Sequence, residues 1–460
     1  MKIMPGRGLE SRSARLLRRL WASLKAPHPF QNCMALAAEY EVHLPAYLLF
    51  QAYTAWQSAL QPVWNERRAR FQLRFYPGRY LSALGHAFRA LGPWNRRVFH
   101  RVSNPGLSSG PRVLHVIPSL LLGGSQKVVF DLIERLGSAY RMRILTGALP
   151  QWGRYHGLDI SVCSSAEAMA KQLREWPPEI IHLHYLGMEP FTQAFLDALA
   201  RTPEVTAPIL ENNNMPIPAL IHPHIKHYVY VSEYALKLQP LPTAPNSVIY
   251  PGIELDEWQP RGPRPAGLPL TVGTVYRLAH EKLNLASLEP FIQIARRLPQ
   301  ARMLIVGEGL LLPHFVRRAK EAGVRHQFQF EGRVPYRLLP AYYDRFDLFL
   351  APVHEESFGV VVPYALCKGI PVLAYRVGAL PEILGAEGQF FNGPEEMAER
   401  AVRLLLNSDE SKTSAQTLQA RAQRFNLETM TSAYAQIYSR LSTPKGVPPW
   451  KLVPPQPGIL

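Results

Sequence analysis

Cysteine is scarce in this sequence, because only Cys33, Cys163 and Cys367 carry a thiol among 460 residues. Three cysteines cannot form a disulfide framework, and so low a number is typical of a reducing compartment. Long apolar stretches are also missing, since no run reaches the roughly 18 residues that a membrane-spanning helix requires. The first 30 residues lack an apolar core long enough for a signal peptide. We therefore expect a cytoplasmic protein.

Acidic residues are also scarce, but only in the first part of the chain. Residues 1–110 contain 16 Lys and Arg but only four acidic residues, a net charge of +12, whereas the remaining 350 residues carry +4. The formal charge of +16 therefore belongs mostly to the N-terminal extension. A nearly neutral body argues against a nucleic-acid channel, so we expect no nucleic acid among the partners.

One pattern in the N-terminal extension indicates a partner. Apolar residues recur there at helical spacing beside four arginines: Leu17, Leu20, Trp21 and Leu24, with Arg12, Arg15, Arg18 and Arg19. A basic amphipathic helix suits an anionic membrane surface, where each cation contributes about 1 kcal/mol. The alternative is a solvated arm or a helix packed against the body. We predict a basic, partly helical extension and leave peripheral attachment to the inner membrane face open.

An α/β pattern begins at about residue 111. The apolar run 113–118, the pair Gly123-Gly124 and the helical pattern of 125–137 form the strand, glycine loop and helix that open a parallel α/β unit. A second series starts after a proline-rich stretch. We predict two doubly wound, Rossmann-like domains that face each other across a cleft. The predicted bounds are 111–245 for the N-terminal domain, 246–269 for the linker, 270–425 for the C-terminal domain, 426–443 for a last helix and 444–460 for a proline-rich tail.

The C-terminal half contains the residues with the clearest chemistry. A buried strand is predicted at 347–352, and Glu356 and Gly359 follow it at the start of a helix. A helix start with glycine at its entry presents free backbone N–H groups and a positive dipole end, which bind phosphate. Glu356 adds an acceptor for a sugar hydroxyl. Arg277 and Lys282 follow an earlier strand, and two cations on one loop can neutralise a diphosphate.

The order of these motifs resembles that of the family 4 retaining glycosyltransferases, which have the GT-B fold. The corresponding stretches are Gly123-Gly124, Val231-Ser232, residues 249–254, Arg277 with Lys282, residues 307–309, residues 330–334, Glu356 with the residues after it, and residues 378–382. The resemblance spans roughly residues 112–441. Each motif is weak by itself, but the full set in the family's order is specific.

The resemblance implies a nucleotide-sugar donor held mainly by the C-terminal domain and a saccharide or lipid-linked acceptor held by the N-terminal domain. It assigns Arg277 and Lys282 to the diphosphate and Glu356 to the transferred sugar. It assigns further donor contacts to Gly124, Gly307, Arg333, Val334, Phe358, Gly359, Val360 and Tyr364. The family needs no bound metal, so we expect no metal and no cofactor besides the sugar nucleotide. The implied activity is sugar transfer with retention in polysaccharide, glycolipid or cell-envelope synthesis.

Two places depart from the family pattern. Tyr364 stands where the family has a second glutamate that holds both ribose hydroxyls of the donor, and a phenol offers only one oxygen. On the acceptor side, Asn212, Asn213 and Asn214 occupy a stretch where members often carry a histidine, and asparagine cannot titrate. These departures leave an alternative open, which is a catalytically degenerate GT-B protein that binds a sugar nucleotide or a partner.

Two histidines raise the question of a metal site. His182 and His184 lie on one face of a predicted strand and could bind zinc together. The sequence offers no third ligand at a suitable spacing. We therefore expect a structural or cleft-lining role for this pair.

Overall fold

The structure is a computed structural model that describes residues 100–101, 109–120, 123–149, 155–239, 244–260, 262, 267–334 and 336–442. The predictions for most of the N-terminal extension and for the proline-rich tail lie outside the described residues. The two large sheets both belong to one unit, Arg101–Pro150 with Gly157–Leu460. Two further strands are only two residues long, His100–Arg101 and Tyr155–His156, and belong to neither large sheet.

The N-terminal domain is built on a parallel sheet of seven strands. They are β1 (Arg112–Ser119), β2 (Arg141–Ala148), β3 (Ile160–Val162), β4 (Ile180–Tyr185), β5 (Ile209–Asn213), β6 (Ile225–Tyr230) and β7 (Asn246–Val248). Their order in the sheet is β3-β2-β1-β4-β5-β6-β7, and every neighbouring pair is parallel. The helices of this domain are α1 (Gly124–Leu136), α2 (Ala166–Glu175), α3 (Pro190–Ala200) and α4 (Glu233–Lys237).

Local sequence explains where these helices begin. Ser165, Glu189 and Ser232 are extended residues directly before α2, α3 and α4, and the side chain of each accepts a hydrogen bond from a backbone N–H of the first turn. The helix α1 begins without such a side chain, directly after Gly123. The backbone N–H groups of its first turn therefore have no side-chain cap at the carboxyl end of β1.

The C-terminal domain has a parallel sheet of six strands. They are β8 (Thr271–Val275), β9 (Arg302–Val306), β10 (Phe328–Gly332), β11 (Leu348–Ala351), β12 (Val372–Tyr375) and β13 (Gln389–Phe391), in the order β10-β9-β8-β11-β12-β13. The α-helices that follow these strands are α5 (Glu289–Arg297), α6 (Leu312–Glu321), α7 (Leu339–Tyr343), α8 (Val361–Cys367), α9 (Leu380–Leu384), α10 (Pro394–Leu406) and α11 (Ser408–Ala422). The strands of both sheets are mostly buried, as crossover helices on both faces require.

The last described helix, α12 (Leu427–Ser442), returns to the N-terminal domain, where it packs against α1 and β4. Its start is fixed by two backbone hydrogen bonds on either side of Asn426, from Ile253 N–H to Phe425 O (2.7 Å) and from Leu427 N–H to Ile253 O (3.0 Å). The prediction of two doubly wound domains is therefore confirmed.

Two elements differ from the sequence prediction. The strand β7 lies within the stretch predicted as linker, because Asn246–Val248 pairs with β6 in the N-terminal sheet. The helix α11 was not predicted, since its polar sequence lacks a clear apolar face. Among the described helices, none combines the length and the hydropathy that crossing a membrane requires.

Candidate active site

The candidate site lies where the C-terminal sheet changes its winding direction. The central strands β8 and β11 are neighbours, and the chain crosses to opposite sides of the sheet from them. Such a switch point leaves a crevice at the carboxyl ends of the strands, and the loops after β8 and β11 border it. A backbone hydrogen bond from His354 N–H to Lys282 O (3.0 Å) joins these two loops.

Lys282 and Glu356 form an ion pair across these loops, with Lys282 Nζ bonded to Glu356 Oε1. The Glu356 side chain is only 3% exposed, whereas that of Lys282 is 23% exposed. A buried carboxylate is stable only with a partner of this kind, since removal of one partner leaves an uncompensated charge. The pair therefore fixes a carboxylate at the crevice and leaves part of the lysine side chain accessible.

Two glycines make room for Glu356. Gly359 has a φ of +79°, and a Cβ atom there would lie 2.8 Å from the Glu356 carboxyl carbon. Gly378 has a φ of +53°, and a Cβ atom there would lie 2.0 Å from the Glu356 carbonyl oxygen. Ala379 donates its N–H to that same oxygen at 2.9 Å. The backbone and the side chain of Glu356 are thus each packed against a glycine that no larger residue can replace without strain.

A second glycine turn supports the loop that carries Arg277 and Lys282. Gly307 follows β9 with a φ of +137°, and a Cβ atom there would meet the Tyr276 carbonyl oxygen at 1.8 Å. Arg333 follows the next strand and pairs with Glu308 of this turn at 2.9 Å, and Val334 packs beside it against the core. These predicted donor residues therefore lie at the same sheet edge as Lys282.

Arg277 shares the loop of Lys282 but has a different partner. Its Nε lies 3.1 Å from Glu281 Oε1, and its side chain is 65% exposed. The structure therefore brings Lys282, and not Arg277, to Glu356. An exposed ion pair of this type contributes at most about 1 kcal/mol, so Arg277 can exchange Glu281 for another anion at little cost.

The N-terminal domain approaches this site at two places. A Cβ atom at Gly124, the first residue of α1, would lie 4.0 Å from Val360 Cγ1, beside the Gly359 turn. At the second place, Tyr234 donates its N–H to Glu382 and its hydroxyl to Glu355, both at 3.3 Å. Burial raises the pKa of the Glu382 carboxyl. The N-terminal domain thus contacts the C-terminal domain next to the Gly359 turn and at Glu355 and Glu382.

Tyr364 occupies a different environment from the predicted ribose contact. It is only 2% exposed, and its ring stacks on Trp258 with centroids 3.9 Å apart and planes 4° apart. Trp258 Nε1–H donates to the Tyr336 hydroxyl at 3.0 Å, and Lys127 Nζ of α1 lies 5.0 Å above the Tyr336 ring. Burial raises the pKa of the Tyr364 hydroxyl well above its usual range. This geometry gives Tyr364 a packing role in an aromatic cluster with Trp258 and Tyr336.

Phe358 is likewise a packing residue, buried against Tyr250 and Phe425 with ring centroids 5.7 and 5.5 Å away. The predicted site set therefore divides into residues that border the crevice and residues that support it. Trp258, Tyr336 and Lys127 belong to the supporting set and were missed by the sequence analysis. No local motif marks them, because three separate segments of the chain supply them.

The acceptor-side asparagines mostly bind the protein itself. Asn212 and Asn213 are fully buried, and Asn214 is partly exposed. Asn212 Oδ1 accepts from the Tyr434 hydroxyl, and Asn212 Nδ2 donates to Asn214 Oδ1 at 2.8 Å. Asn213 Nδ2 donates to the Ile217 carbonyl oxygen at 3.1 Å. Of the three side chains, only Asn214 has the exposure that contact with an acceptor needs.

The fold and the placement of this site define the class of GT-B proteins. Among solved structures, HepE of Anabaena in complex with UDP and glucose has a TM-score of 0.60 at 16% identity, covering 72% of this chain and 99% of that one. Sucrose-phosphate synthase of Thermosynechococcus elongatus has a TM-score of 0.58 at 16% identity, with the same coverage. Identities this low show the fold.

The sequence comparisons identify the family resemblance. Residues 269–407, which form most of the C-terminal domain, match the family model of the glycosyl transferases group 1. A D-inositol 3-phosphate glycosyltransferase of Mycobacterium leprae is 34% identical over 143 residues, covering 29% of this chain and 33% of the relative. A glycogen synthase of Mycobacterium tuberculosis is 26% identical over 197 residues, covering 42% and 48%. The chain thus spans about half or less of the length of these curated relatives. The predicted resemblance to GT-B glycosyltransferases is confirmed.

Proposed function

We propose that the chain is a glycosyltransferase that moves a sugar from a nucleotide-sugar donor to a saccharide or lipid-linked acceptor. The observation that carries the proposal is the Lys282–Glu356 pair, which lies at the switch point of the C-terminal sheet beside the Gly359 turn. The group 1 match over residues 269–407 supports it. The solved complexes of HepE with UDP and with UDP-glucose support the choice of a nucleotide-sugar donor.

Lys282 and Glu356 divide the recognition of the donor between them. The buried Glu356 carboxylate is an acceptor-only group that can bind the hydroxyls of the transferred sugar. Lys282 can share its three N–H donors between Glu356 and a phosphate oxygen. When the glycosidic bond to the phosphate breaks, charge accumulates on the leaving diphosphate, and a fixed cation stabilises it most at that moment.

We further propose that the transfer retains the anomeric configuration of the sugar and needs no metal ion. Arg277 would leave its exposed pair with Glu281 and add a second cation to the diphosphate. Two cations from the protein would then supply the charge that a divalent ion provides in other transferases.

Sugar transfer is tested by release of nucleotide from UDP-, GDP- and ADP-sugars, with saccharide and lipid-linked acceptors. A donor that works should release nucleotide at an unchanged rate after chelation.

Substitution of Glu356 sharpens this test. Glu356→Gln keeps the shape but removes the charge, so we expect kcat/KM to fall roughly 10²-fold, as for loss of one stabilising polar group. Glu321→Gln, at an exposed position of α6, is the matched control and should behave as the wild type. Absence of nucleotide release with every donor and acceptor would refute the proposed transferase activity.

The second candidate, a degenerate GT-B module, is favoured by the burial of Tyr364 under Trp258. A tyrosine in this position cannot hold a ribose as a carboxylate would. The module would bind a sugar nucleotide or a partner without turnover. Calorimetry with the same donors separates the two candidates, because a module binds one donor and releases no nucleotide with any acceptor.

Membrane attachment through the N-terminal extension belongs to this proposal as well. The arginines at residues 12–19 would bring the enzyme to an anionic surface where a lipid-linked acceptor or the product of envelope synthesis resides. Deletion of residues 1–30 should reduce sedimentation with anionic liposomes and should leave sedimentation with neutral liposomes unchanged. Equal sedimentation of both forms would contradict this role.

A further inference from the structure

Three histidines meet inside the N-terminal sheet, although the sequence suggested only two. The neighbouring strands β1 and β4 place His115 in register with His182, and His184 follows two residues later on the same face. All three side chains are fully buried. The parallel pairing of β1 with β4 thus supplies the third imidazole that the spacing of the sequence could not reveal.

The three rings are close and incompletely partnered. His115 Nδ1 lies 3.1 Å from His184 Nε2, and the His182 and His184 rings stack with centroids 4.1 Å apart. One potential ligand nitrogen from each ring lies within 4.8 Å of the other two. Within the part of the chain that the structure describes, His115 Nε2, His182 Nε2 and His184 Nδ1 are buried without a hydrogen-bond partner. A buried polar atom without a hydrogen-bond partner costs stability, and a bound ion is one way to satisfy it.

A tyrosine of α12 contacts one of the three rings. His182 Nδ1 lies 2.6 Å from the Tyr438 hydroxyl of α12. In the tautomer in which Nδ1–H donates to that oxygen, Nε2 has the lone pair and is the ligand atom, and such a bond orients histidine ligands in metal sites.

We propose that His115, His182 and His184 bind one divalent transition-metal ion such as zinc. Imidazole suits such ions, and tetrahedral coordination with Zn–N bonds of about 2.0–2.1 Å places two ligand nitrogens roughly 3.4 Å apart. The 3.1 Å between His115 Nδ1 and His184 Nε2 is already near that value, and any wider nitrogen pair of the cluster has to close when the ion binds. Because the cluster is buried, the ion serves structure, tying β1 to β4 and, through Tyr438, to α12.

Cobalt binding tests this site directly. We expect the untagged full chain, after dialysis against a chelator, to bind one equivalent of Co²⁺ with visible d–d absorption, and Zn²⁺ to displace it. His115→Gln should lose this signal, and His314→Gln, at an exposed position of α6, should keep it. Tyr438→Phe removes only the group that orients His182, so it should weaken Co²⁺ binding about 10- to 100-fold while the protein stays folded.

The proposal is overturned if the wild type binds no stoichiometric Co²⁺, or if folded His115→Gln binds Co²⁺ as tightly as the wild type. Where His115→Gln does not fold, Tyr438→Phe decides, and an unchanged affinity for Co²⁺ counts against the site. Failure of the metal site leaves the proposed transferase activity intact, because that activity is read from nucleotide release after chelation.

Discussion

At the scale of single residues, the candidate site depends on a buried carboxylate and the cation that neutralises it. The sequence motif predicted both Lys282 and Glu356, because each follows a strand of the C-terminal series. Their direct pairing could not be predicted, since it depends on β8 and β11 being neighbours in the sheet. The motif did not predict the partner of Arg277, which is Glu281, four residues later in the same loop.

The aromatic cluster gives the prediction at this scale. If Tyr364 supports Trp258 and does not contact the donor, Tyr364→Phe keeps the stacked ring and should leave donor affinity within about twofold. Tyr364→Ala empties a buried site, and we expect the free energy of unfolding to fall by about 3–5 kcal/mol. Chemical denaturation measures the second effect, and titration of the donor measures the first. A tenfold loss of donor affinity in Tyr364→Phe would show that its hydroxyl contacts the donor.

At the scale of elements, apolar runs predicted most strands of both sheets, because strands buried on both faces have nearly continuous apolar sequences. The strand β7 escaped prediction, since it is short, partly polar and flanked by prolines. The helix α11 also escaped prediction, because its polar sequence has little apolar periodicity to detect. Turns were easier to predict where glycine is required, as at Gly359 and Gly378.

The Gly359 turn gives the prediction at this scale. Gly359→Ala adds a Cβ atom in the left-handed region and against the Glu356 side chain. We expect the free energy of unfolding to fall by about 1–3 kcal/mol and donor affinity to fall with it, because Glu356 must shift. Gly262→Ala is the matched control, since its Cβ atom would meet no other atom within 4 Å. Equal denaturation midpoints for the two variants would contradict the proposed strain.

At the scale of the whole molecule, buried titratable groups predict how stability varies with pH. Burial raises the pKa of the Glu211 carboxyl to about 8, from an unperturbed 4.5. Between these values the folded state keeps a proton that the unfolded state has lost, so stability falls as pH rises. Burial lowers the pKa of His115 to about 3 and that of His227 to about 4, so stability also falls as pH drops below 6.5.

These opposing slopes place maximum stability near neutral pH or slightly below it. In chelator, the free energy of unfolding of the wild type should fall by roughly 1 kcal/mol between pH 7 and pH 8. Glu211→Gln removes the titrating group and should flatten this decline. Glu204→Gln, at an exposed position, should retain the decline of the wild type. Parallel curves for Glu211→Gln and the wild type would show that Glu211 is ionised in the folded protein.

Lys282 and Glu356 are proposed to form the anion- and sugar-binding centre of a nucleotide-sugar site. Titration calorimetry with UDP-glucose and the other sugar nucleotides tests this proposal most directly, comparing the wild type with Lys282→Ala and with Lys320→Ala, at an exposed position of α6. We predict one donor bound per wild-type chain, an affinity at least about tenfold weaker in Lys282→Ala, as loss of a charged hydrogen bond implies, and an unchanged affinity in Lys320→Ala. Wild-type affinity in folded Lys282→Ala, or no binding by the wild type, would contradict the account.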